Sequence, residues 1–238
     1  MPDTLITIPT YNERQNIELL LPDVRAVLPD ADILIIDDNS PDGTSEYAKE
    51  IAERLGNIYV LDRKKKDGLG RAYIAGFTWA LKRDYKYIFE MDADFSHSPE
   101  KLPEFLEAIK DADLVIGSRY ISGVNVINWP MSRLLLSYFG NLGVRMVAGV
   151  PVRDCTGGFK CFRREVLEAL DFRKISSSGY SFQVEMNYHV WKKKFRIVEI
   201  PIVFTDRKFG HSKMSTKIVH EALMLLWKLR LRSIFSRD

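Results

Sequence analysis

The sequence has little cysteine and no signal for export. It contains two cysteines among 238 residues, and the spacing of Cys155 and Cys161 fits neither a zinc pair nor a redox pair. Two thiols in a chain of this size favour a reducing compartment. The N-terminus shows no basic segment followed by an apolar one, so we expect no secretion. These absences argue against a secreted, disulfide-stabilised protein.

Excess charge of one sign and glycine-rich loops are also scarce. The formal net charge is only +3, and the first half has no basic stripe with interleaved aromatics, so we expect no nucleic-acid partner. The first predicted strand is not followed by the Gly-x-Gly-x-x-Gly turn of a dinucleotide-dependent reductase. The glycine-rich, basic loop expected there for a sugar-nucleotide pyrophosphorylase is absent too.

The longest apolar stretch is interrupted by polar residues. Residues 134–152 are rich in Leu, Val, Met and Gly, but Asn141 and Arg145 lie within them. An arginine at the centre of a bilayer costs about 2.5–3.5 kcal/mol, and three glycines weaken the helix further. The pattern therefore predicts an interfacial or buried helix rather than a membrane span.

Strand and helix signals alternate through the first half of the chain. Hydrophobic residues make up 46% of the sequence and charged residues 28%, which suits a soluble domain with a full core. Short β-rich runs predict strands at 4–8, 33–36, 58–61, 85–91 and 113–117. Between them, helices are predicted at 12–28, with Asn12 as N-cap, and at 42–55, 71–82 and 99–109. This alternation predicts an α/β fold, a Rossmann-like, mostly parallel sheet with helices on both faces.

The pattern changes after residue 120. An apolar stretch at 128–150 is followed by a predicted strand at 158–162, helices at 164–170 and 182–192, and an extended segment at 196–204. We divide the sequence into an α/β half at 1–120, a helical elaboration of the same domain at 121–215, and an amphipathic, basic C-terminal helix at 216–238. The mixture of Trp, Leu, Lys and Arg in that last helix suits an anionic membrane surface, although packing on the core would explain it as well.

Acidic clusters follow three of the predicted strands. They are Glu13 after the first strand, Asp37, Asp38 and Asp42 after the second, and Asp92 with Asp94 after the fourth. A single Asp at a strand end is as often a turn former as a ligand-binding residue. Ligands of open parallel sheets bind at the carboxyl ends of the strands. Three acidic clusters at that edge therefore indicate a binding site.

Asp92 and Asp94 predict a divalent metal. If the chain is extended there, the two side chains lie on one side and Ala93 on the other. Two close carboxylates repel each other unless a cation joins them, and hard oxygen ligands suit Mg²⁺ or Mn²⁺ bound together with substrate phosphates. Such a site neutralises a diphosphate leaving group.

Six motifs are similar to those of a known enzyme family. Three of them are Pro9-Thr10-Tyr11-Asn12-Glu13, Asp37-Asp38-Asn39-Ser40-Pro41-Asp42-Gly43-Thr44 and Asp92-Ala93-Asp94-Phe95-Ser96-His97. These resemble the inverting family 2 glycosyltransferases with the GT-A fold. The other three are Gly117-Ser118-Arg119-Tyr120, Asp154-Cys155-Thr156-Gly157-Gly158-Phe159 and Asp206-Arg207-Lys208-Phe209-Gly210-His211-Ser212-Lys213-Met214. They resemble the dolichol-phosphate (polyprenyl-phosphate) mannose synthase branch, and the resemblance covers nearly the whole chain.

The resemblance implies a role for each matching residue. The residues implied in donor-nucleotide binding are Pro9, Tyr11, Glu13, Asp38 and Asp92. Asp94 and Ser96 are implied in metal binding, although the family often has Gln where Ser96 stands. The residues implied at the acceptor phosphate are Arg119, Arg133, Ser137, Arg207 and Lys213. We predict a catalytic role for Asp92, Asp94, Arg119, Arg207 and Lys213. The segment at 183–185 is placed near the sugar, where a structural polar pair is the alternative.

The predicted cations also have an ordinary interpretation. Lysine and arginine are mostly surface residues, but Arg207 and Lys213 flank a Gly-His-Ser turn that suits an anion. Arg133 and Arg145 lie in apolar sequence, where an unpaired charge is costly. Each of these two should pair internally or contact a lipid phosphate.

The resemblance predicts transfer of mannose, with inversion, from GDP-mannose to dolichyl or another polyprenyl phosphate. An acceptor phosphate is already an anion and needs no general base. We expect a peripheral protein on the cytoplasmic side of a membrane, contacting the membrane surface directly or through a small membrane-anchoring subunit. UDP-glucose-dependent transfer to the same acceptor is the alternative. A catalytically inactive GT-A module is a further rival, and the intact Asp92, Asp94, Arg207 and Lys213 argue against it.

Overall fold

The computed structural model describes residues 2–175, 177 and 179–206. The first half forms β1 (Thr4–Thr10), α1 (Arg14–Val27), β2 (Asp32–Asp37), α2 (Thr44–Leu55), β3 (Ile58–Asp62), α3 (Leu69–Ala80), β4 (Tyr87–Glu90), α4 (Leu102–Ala108) and β5 (Leu114–Ser118). The second half adds β6 (Val126–Ile127), α5 (Met131–Ala148), β7 (Lys160–Arg163), α6 (Arg164–Ala169), α7 (Gly179–Lys192), β8 (Ile197–Pro201) and β9 (Phe204–Thr205).

Seven strands form one sheet in the order β3-β2-β1-β4-β7-β5-β8. Only β7 among them runs antiparallel to its neighbours, pairing with β4 and with β5. The chain passes outward from β1 through β2 to β3, and then returns to place β4 on the other side of β1. Ligands of such sheets bind where the strand order reverses. The crevice beyond the carboxyl ends of β1 and β4 is therefore the expected binding site.

Alternating side chains of the central strands supply two hydrophobic cores. Leu34 and Ile36 of β2 face a core with α3, α6 and α7. Ile33 and Ile35 face the opposite core with α1, α2 and α4. A strand buried on both faces has to be apolar throughout, which explains the unbroken run at 33–36. The predicted mostly parallel sheet between layers of helices is confirmed.

Two local predictions differ from the structure. Helix α1 begins at Arg14, with Glu13 rather than Asn12 at the N-cap position, because Asn12 has a left-handed φ of 58°. Asn tolerates that conformation better than most residues. Strands β6 and β9 were not predicted, since each has two residues, too few for a sequence pattern, and they pair only with one another.

The apolar stretch at 128–150 forms α5. No helix among the described residues is long and apolar enough to cross a membrane. Asn141, Val144 and Ala148 are the buried residues of α5, whereas much of its remaining apolar surface is exposed.

Candidate active site

The strand ends of β1, β2 and β4 open into a single cavity of about 340 Å³. That volume lies within the range of small-molecule sites. Residues of α3, α5, α7 and β9, together with the segment just before β7, complete its wall. The cavity brings together nine of the predicted site residues: Pro9, Tyr11, Glu13, Asp38, Asp92, Asp94, Ser96, Arg119 and Arg133.

The acidic cluster after β2 divides into structural and cavity-facing residues. Asp37 accepts hydrogen bonds from Thr10 Oγ1 at 2.9 Å and from the Ser40 backbone N–H at 2.8 Å. Asp42 accepts from the Arg14 backbone N–H at 3.2 Å. These two carboxylates hold the loops together, as turn-forming Asp residues do. Asp38 alone of the three lines the cavity.

Asp38 is paired with a cation that the sequence did not single out. Its carboxylate accepts a hydrogen bond from Arg63 Nη1, and both side chains are largely buried. Burial raises the pKa of Asp38, and the nearby Arg63 charge opposes that rise. A hydrogen bond from the Asp67 backbone to the Asp38 carboxylate also opposes the rise in its pKa.

Asp92 and Asp94 lie in a turn, not in extended chain. The expectation of strand geometry there is wrong, because β4 ends at Glu90 and Phe95 has a left-handed φ of 62°. Asp94 Oδ1 closes the turn by accepting from Ser96 N at 3.2 Å and from Ser96 Oγ at 2.6 Å. Ala93 contacts the core and also lines the cavity, as Asp92 and Asp94 do. Asp92 and Asp94 therefore line one cavity as predicted, but a turn rather than an extended strand places them there.

Two buried rings position Asp92. The Tyr73 hydroxyl donates to Asp92 Oδ1 at 3.1 Å, and the Asp92 backbone N–H donates to His97 Nδ1 at 3.0 Å. Burial, followed by the charge of Asp92, raises the pKa of Tyr73, so the phenol stays a donor. Burial lowers the pKa of His97. The neutral imidazole with Nδ1 accepting carries its proton on Nε2.

Arg119 lies in the cavity wall and is held by Asp154. Its Nε donates to Asp154 Oδ2 at 2.7 Å, and its Nη2 donates to Asp154 Oδ1 at 2.5 Å. Both side chains are almost completely buried. Burial by itself would raise the pKa of Asp154, but the charge and hydrogen bonds of Arg119 bring it below its ordinary value. The contact of Arg119 with an acceptor phosphate stays a prediction.

Arg133 is the second cation of the wall. Its Nη1 donates to Asp206 Oδ1 at 2.9 Å, and its guanidinium carbon lies 4.1 Å from the centre of the Trp129 ring. The internal pair expected for Arg133 is therefore present. Arg133 Nε and Trp129 Nε1 are buried and have no hydrogen-bond partner among the described residues.

Of the other predicted site residues, only Ser137 lies in the described part of the chain. Ser137 accepts a hydrogen bond from the Tyr120 hydroxyl at 2.7 Å and is not among the described residues of the wall. Arg207, Lys213 and the predicted helix at 216–238 lie outside the described residues. Arg145 is exposed on α5.

Lys66 of the wall was not predicted at the site, whereas Gln183 belongs to the 183–185 segment that the resemblance placed near the sugar. Lys66 lies 3.8 Å from the centre of the Tyr11 ring, and Gln183 of α7 is buried; both line the cavity. The signal for Lys66 was available, because three lysines precede Asp67 and Gly68 in a loop leading into a helix. The orientation of Gln183 depends on contacts with distant strands, which the sequence does not show.

The donor set suits a hard divalent cation bound together with phosphates. The described residues contain no group of three or more His, Cys, Asp or Glu that is arranged to hold a metal. Two carboxylates at the cavity are nevertheless the usual protein share of a Mg²⁺ site in which substrate phosphates supply the rest. Asp92 and Asp94 fit that chemistry.

The family follows from the match of a family model. The model for glycosyl transferase family 2 matches residues 5–171, which include the strand-end acids and the Arg119–Asp154 pair. The chain belongs to glycosyl transferase family 2. As a member of this family it is a glycosyltransferase, and the resemblance inferred from the motifs is confirmed.

Curated relatives extend the similarity to nearly the whole chain. An undecaprenyl-phosphate mannosyltransferase of Micrococcus luteus is 48% identical, over 92% of this chain and 90% of that protein. A polyprenol monophosphomannose synthase of Mycolicibacterium smegmatis is 46% identical, over 95% and 87%. A dolichol-phosphate mannosyltransferase of Pyrococcus furiosus is 36% identical, over 94% of this chain and 62% of that protein.

Solved structures of low sequence identity confirm the GT-A fold. Glucosyl-3-phosphoglycerate synthase from Mycobacterium tuberculosis, in complex with Mn²⁺, UDP and glucosyl-3-phosphoglycerate, has a TM-score of 0.65 at 16% identity. The match covers 98% of this chain and 79% of that one. The same enzyme in complex with UDP has a TM-score of 0.68 at 15% identity, covering 96% and 80%.

Proposed function

We propose that this glycosyltransferase moves mannose from GDP-mannose to dolichyl or another polyprenyl phosphate, with inversion at the anomeric carbon. The proposal is supported by the printed functions of three relatives, which are a mannosyltransferase acting on undecaprenyl phosphate, a polyprenol monophosphomannose synthase and a dolichol-phosphate mannosyltransferase.

One structural observation carries the proposal. The acids of β1, β2 and β4 share their cavity with Arg133, and Arg133 belongs to α5, the helix with an exposed apolar face. The donor end of the site is thus continuous with a cation beside an apolar surface. A polyprenyl phosphate has that combination of chemistry, an anion at the end of a hydrocarbon chain.

The acceptor phosphate is assigned to the Arg119 and Arg133 side of the cavity. Arg133 Nε and Trp129 Nε1 are buried donors that no described residue satisfies, and buried polar groups are almost always hydrogen-bonded. A phosphate oxygen would satisfy both. Arg133 is only partly neutralised by Asp206, whose side chain is 30% exposed.

Asp92 and Asp94 would hold Mg²⁺ or Mn²⁺ at the diphosphate of the donor, with Ser96 next to Asp94. When bound, the metal would supply neutralisation of charge on the leaving diphosphate. Mn²⁺ is present in the complex of glucosyl-3-phosphoglycerate synthase that shares this fold.

The proposed reaction needs positioning and charge rather than a base. An oxygen of the acceptor phosphate attacks the anomeric carbon from the side opposite the diphosphate. The bond from that carbon to the diphosphate oxygen breaks, and GDP leaves with the electron pair. The acceptor oxygen carries no proton at neutral pH, which makes a general base unnecessary.

UDP-glucose remains the second candidate donor. Structures of the same fold are complexes with UDP-glucose and Mn²⁺, but at 16% identity they bear on the fold alone. The relatives at 48% and 46% identity are named for mannosyl transfer, so mannose is preferred.

The location we propose is the cytoplasmic surface of a membrane. The apolar face of α5 would contact the lipid, and a small membrane-anchoring subunit is a candidate partner. The proposed lipid acceptor supports contact with a membrane surface, because its phosphate has to reach the cavity from a bilayer.

The test is incubation of the purified chain with radiolabelled GDP-mannose or UDP-glucose, a polyprenyl phosphate and Mn²⁺. We expect label from GDP-mannose in the lipid phase, in a product whose anomeric configuration is opposite to that of the donor. If only UDP-glucose labels the lipid, the transferred sugar is glucose rather than mannose. If neither donor labels the lipid, the proposed acceptor is wrong.

A further inference from the structure

Asn141 is a polar residue that interrupts the apolar sequence of α5. It lies within the helix and is 2% exposed. Asn is a poor helix former in a helix interior, and a buried amide is costly unless it is hydrogen-bonded. Neither helix propensity nor apolar packing explains an amide at this position, so its hydrogen bonds have to.

Both ends of the Asn141 amide are hydrogen-bonded. Its Oδ1 accepts from the Thr156 backbone N–H at 3.2 Å. Its Nδ2 donates to the Ser137 backbone oxygen at 2.9 Å and to Thr156 Oγ1 at 3.2 Å. A backbone N–H can only donate and a backbone carbonyl can only accept, so the amide has one orientation. Asn141 therefore holds both the backbone and the hydroxyl of Thr156.

The Thr156 hydroxyl connects Asn141 to Arg119. Thr156 Oγ1 accepts from Arg119 Nη2 at 2.8 Å, and Asp154 Oδ1, 3.4 Å away, is the acceptor for its hydrogen. With Asn141 as its second donor, the hydroxyl uses its hydrogen and both lone pairs. Thr156 and Arg119 both line the cavity, so a contact from α5 reaches the guanidinium of the cavity wall.

The contact with Thr156 adds a constraint that Asp154 alone does not supply. Asp154 holds Arg119 through two parallel hydrogen bonds, from Nε and from Nη2. A guanidinium and a carboxylate joined in this way can still tilt together. The bond from Nη2 to Thr156, which is anchored to α5, opposes that tilt. Bidentate binding of a phosphate by arginine depends on the orientation of the guanidinium plane.

We propose that Asn141 is a positioning residue for the acceptor phosphate, acting through Thr156 to fix the plane of the Arg119 guanidinium. The inference rests on the proposed function, which assigns the acceptor phosphate to the Arg119 and Arg133 side of the cavity. It goes further, because the helix with the exposed apolar surface then also sets the geometry of the arginine at the phosphate.

The neighbours of Asn141 on α5 support this link. Tyr138, Phe139 and Leu142 are exposed, so the same part of the helix presents apolar side chains outward and the amide inward. A hydrocarbon chain on the outer side and a phosphate at Arg119 would both be recognised through α5. That combination suits an acceptor with an anionic head on a hydrocarbon chain.

The first experiment measures kcat and the acceptor KM with saturating radiolabelled GDP-mannose, Mn²⁺ and a polyprenyl phosphate in detergent micelles. Thr156→Val removes the hydroxyl, and Asn141→Leu removes the amide. Each should raise the acceptor KM about tenfold, because a hydrogen bond to a charged group is lost or loosened, and leave GDP affinity within about twofold by calorimetry. Thr156→Ser keeps the hydroxyl and should retain the wild-type KM. Thermal unfolding of each variant shows whether it folds.

A double-mutant cycle tests whether Asn141 acts through Thr156. The double variant should also show an increase of about tenfold, because both substitutions break one chain of contacts. Independent effects would multiply instead and would contradict the proposed connection.

Asn187→Leu is the matched control. Asn187 is a buried amide of α7 that holds the same loop by donating to the backbone oxygen of Cys155 at 3.0 Å. Its replacement should lower stability but leave the acceptor KM within about twofold of wild type. If Asn187→Leu raises that KM as much as Asn141→Leu does, Asn141 only stabilises the loop and the inference is wrong.

A measurement without acceptor separates the inference from the proposed function. The ¹⁵N–¹H NMR resonance of Arg119 Nε, assigned by its loss in Arg119→Lys, should shift and exchange faster with solvent in Thr156→Val and in Asn141→Leu. If the wild-type chain labels no lipid from either donor, the proposed acceptor is wrong, and the NMR comparison still decides whether Asn141 positions Arg119. The inference is overturned if both variants leave this resonance unchanged, or if both leave the acceptor KM of an active chain unchanged.

Discussion

The aspartates at the strand ends have different structural roles, although the sequence pattern around them is similar. Asp37 and Asp42 accept hydrogen bonds from neighbouring loops, whereas Asp38 and Asp92 face the cavity. Because adjacent side chains of an extended segment point in opposite directions, Asp37 and Asp38 cannot share one role. Only those that point into the cavity are candidates for substrate chemistry.

At Asp94, replacement of the carboxylate tests the metal site. Asp94→Asn should abolish turnover and weaken donor binding in the presence of Mn²⁺, because an amide is a poor ligand for a hard cation. The turn should survive, since an Asn oxygen can still accept from Ser96. The measurement is donor affinity and transfer rate with and without Mn²⁺, with circular dichroism as the control for folding. Full wild-type activity in excess chelator would show that no metal is needed.

At Asp154, loss of charge tests the buried ion pair. Asp154→Asn leaves the Arg119 guanidinium without a buried counter-charge and should lower the free energy of unfolding at pH 7 by about 3 kcal/mol or more. Because the pKa of Asp154 is lowered by folding, the pair contributes above the unfolded value of about 3.9, and its contribution disappears as pH falls through the lower folded pKa. The variant should therefore lose less stability than the wild type on acidification.

The measurement for this pair is urea unfolding between pH 3 and pH 7. Glu107→Gln is the control, because it breaks the exposed pair with Lys110 and should change stability little at any pH. Equal unfolding curves for Asp154→Asn and wild type would show that Arg119 is stabilised by other contacts.

Helix α5 has two faces with opposite character. Its buried residues are Asn141, Val144 and Ala148. An exposed apolar stripe runs along its other side, consisting of Met131, Leu135, Tyr138, Phe139, Leu142 and Met146. Successive members lie three or four residues apart in the sequence, except Tyr138 and Phe139, which are adjacent. A spacing of three or four residues places side chains on one face of a helix. A contiguous exposed apolar stripe of this kind indicates an interaction surface.

The α5 stripe predicts membrane binding. The purified chain should sediment with anionic liposomes at low salt and be released at high salt, because the interaction combines apolar contact with charge. Phe139→Ser and Met146→Ser should reduce sedimentation without loss of fold, since these side chains are 60% and 69% exposed.

Leu19→Ser is the matched control for the stripe. Leu19 is 51% exposed on α1, a helix of the opposite core, and its replacement should leave sedimentation unchanged. If the wild-type chain does not sediment with liposomes at low salt, the membrane contact has to come from a partner protein.

At the scale of the whole molecule, two anions have to meet in one cavity. The donor diphosphate and an acceptor phosphate a few ångströms apart repel by several kcal/mol at an effective dielectric constant near 20. The two arginines of the described wall are each already paired, Arg119 with Asp154 and Arg133 with Asp206. Additional positive charge is needed, and the sequence offers Arg207 directly after Asp206 and Lys213 beyond the Gly-His-Ser segment.

We predict that substitutions of Arg207 and Lys213 lower the rate of sugar transfer rather than the affinity for the nucleotide. Arg207→Ala and Lys213→Ala should each reduce turnover at least about tenfold, or roughly 1.4 kcal/mol of barrier, and change GDP affinity much less. Arg207→Lys should rescue only partly, because lysine cannot make a bidentate phosphate contact. The measurements are nucleotide calorimetry and transfer rate against acceptor concentration. Lys193→Ala, an exposed lysine just after α7, is the control.

If the Arg207 and Lys213 substitutions leave the transfer rate unchanged, the segment after Asp206 is an ordinary surface turn. The acceptor phosphate would then depend on Arg119 and Arg133 alone.

The alternation of strands and helices and the acidic strand ends could be read from the sequence by itself, because periodicity and turn chemistry are properties of neighbouring residues. The family and the cavity-facing acids followed from the same local motifs, and the family resemblance implied Arg133. The tertiary structure alone decided that β7 enters the sheet antiparallel between β4 and β5. That insertion places Lys160 across from Glu90, and the fold likewise pairs Arg119 with Asp154, 35 residues away. Contacts between residues so far apart in the chain depend on strand order and packing, which no local pattern contains.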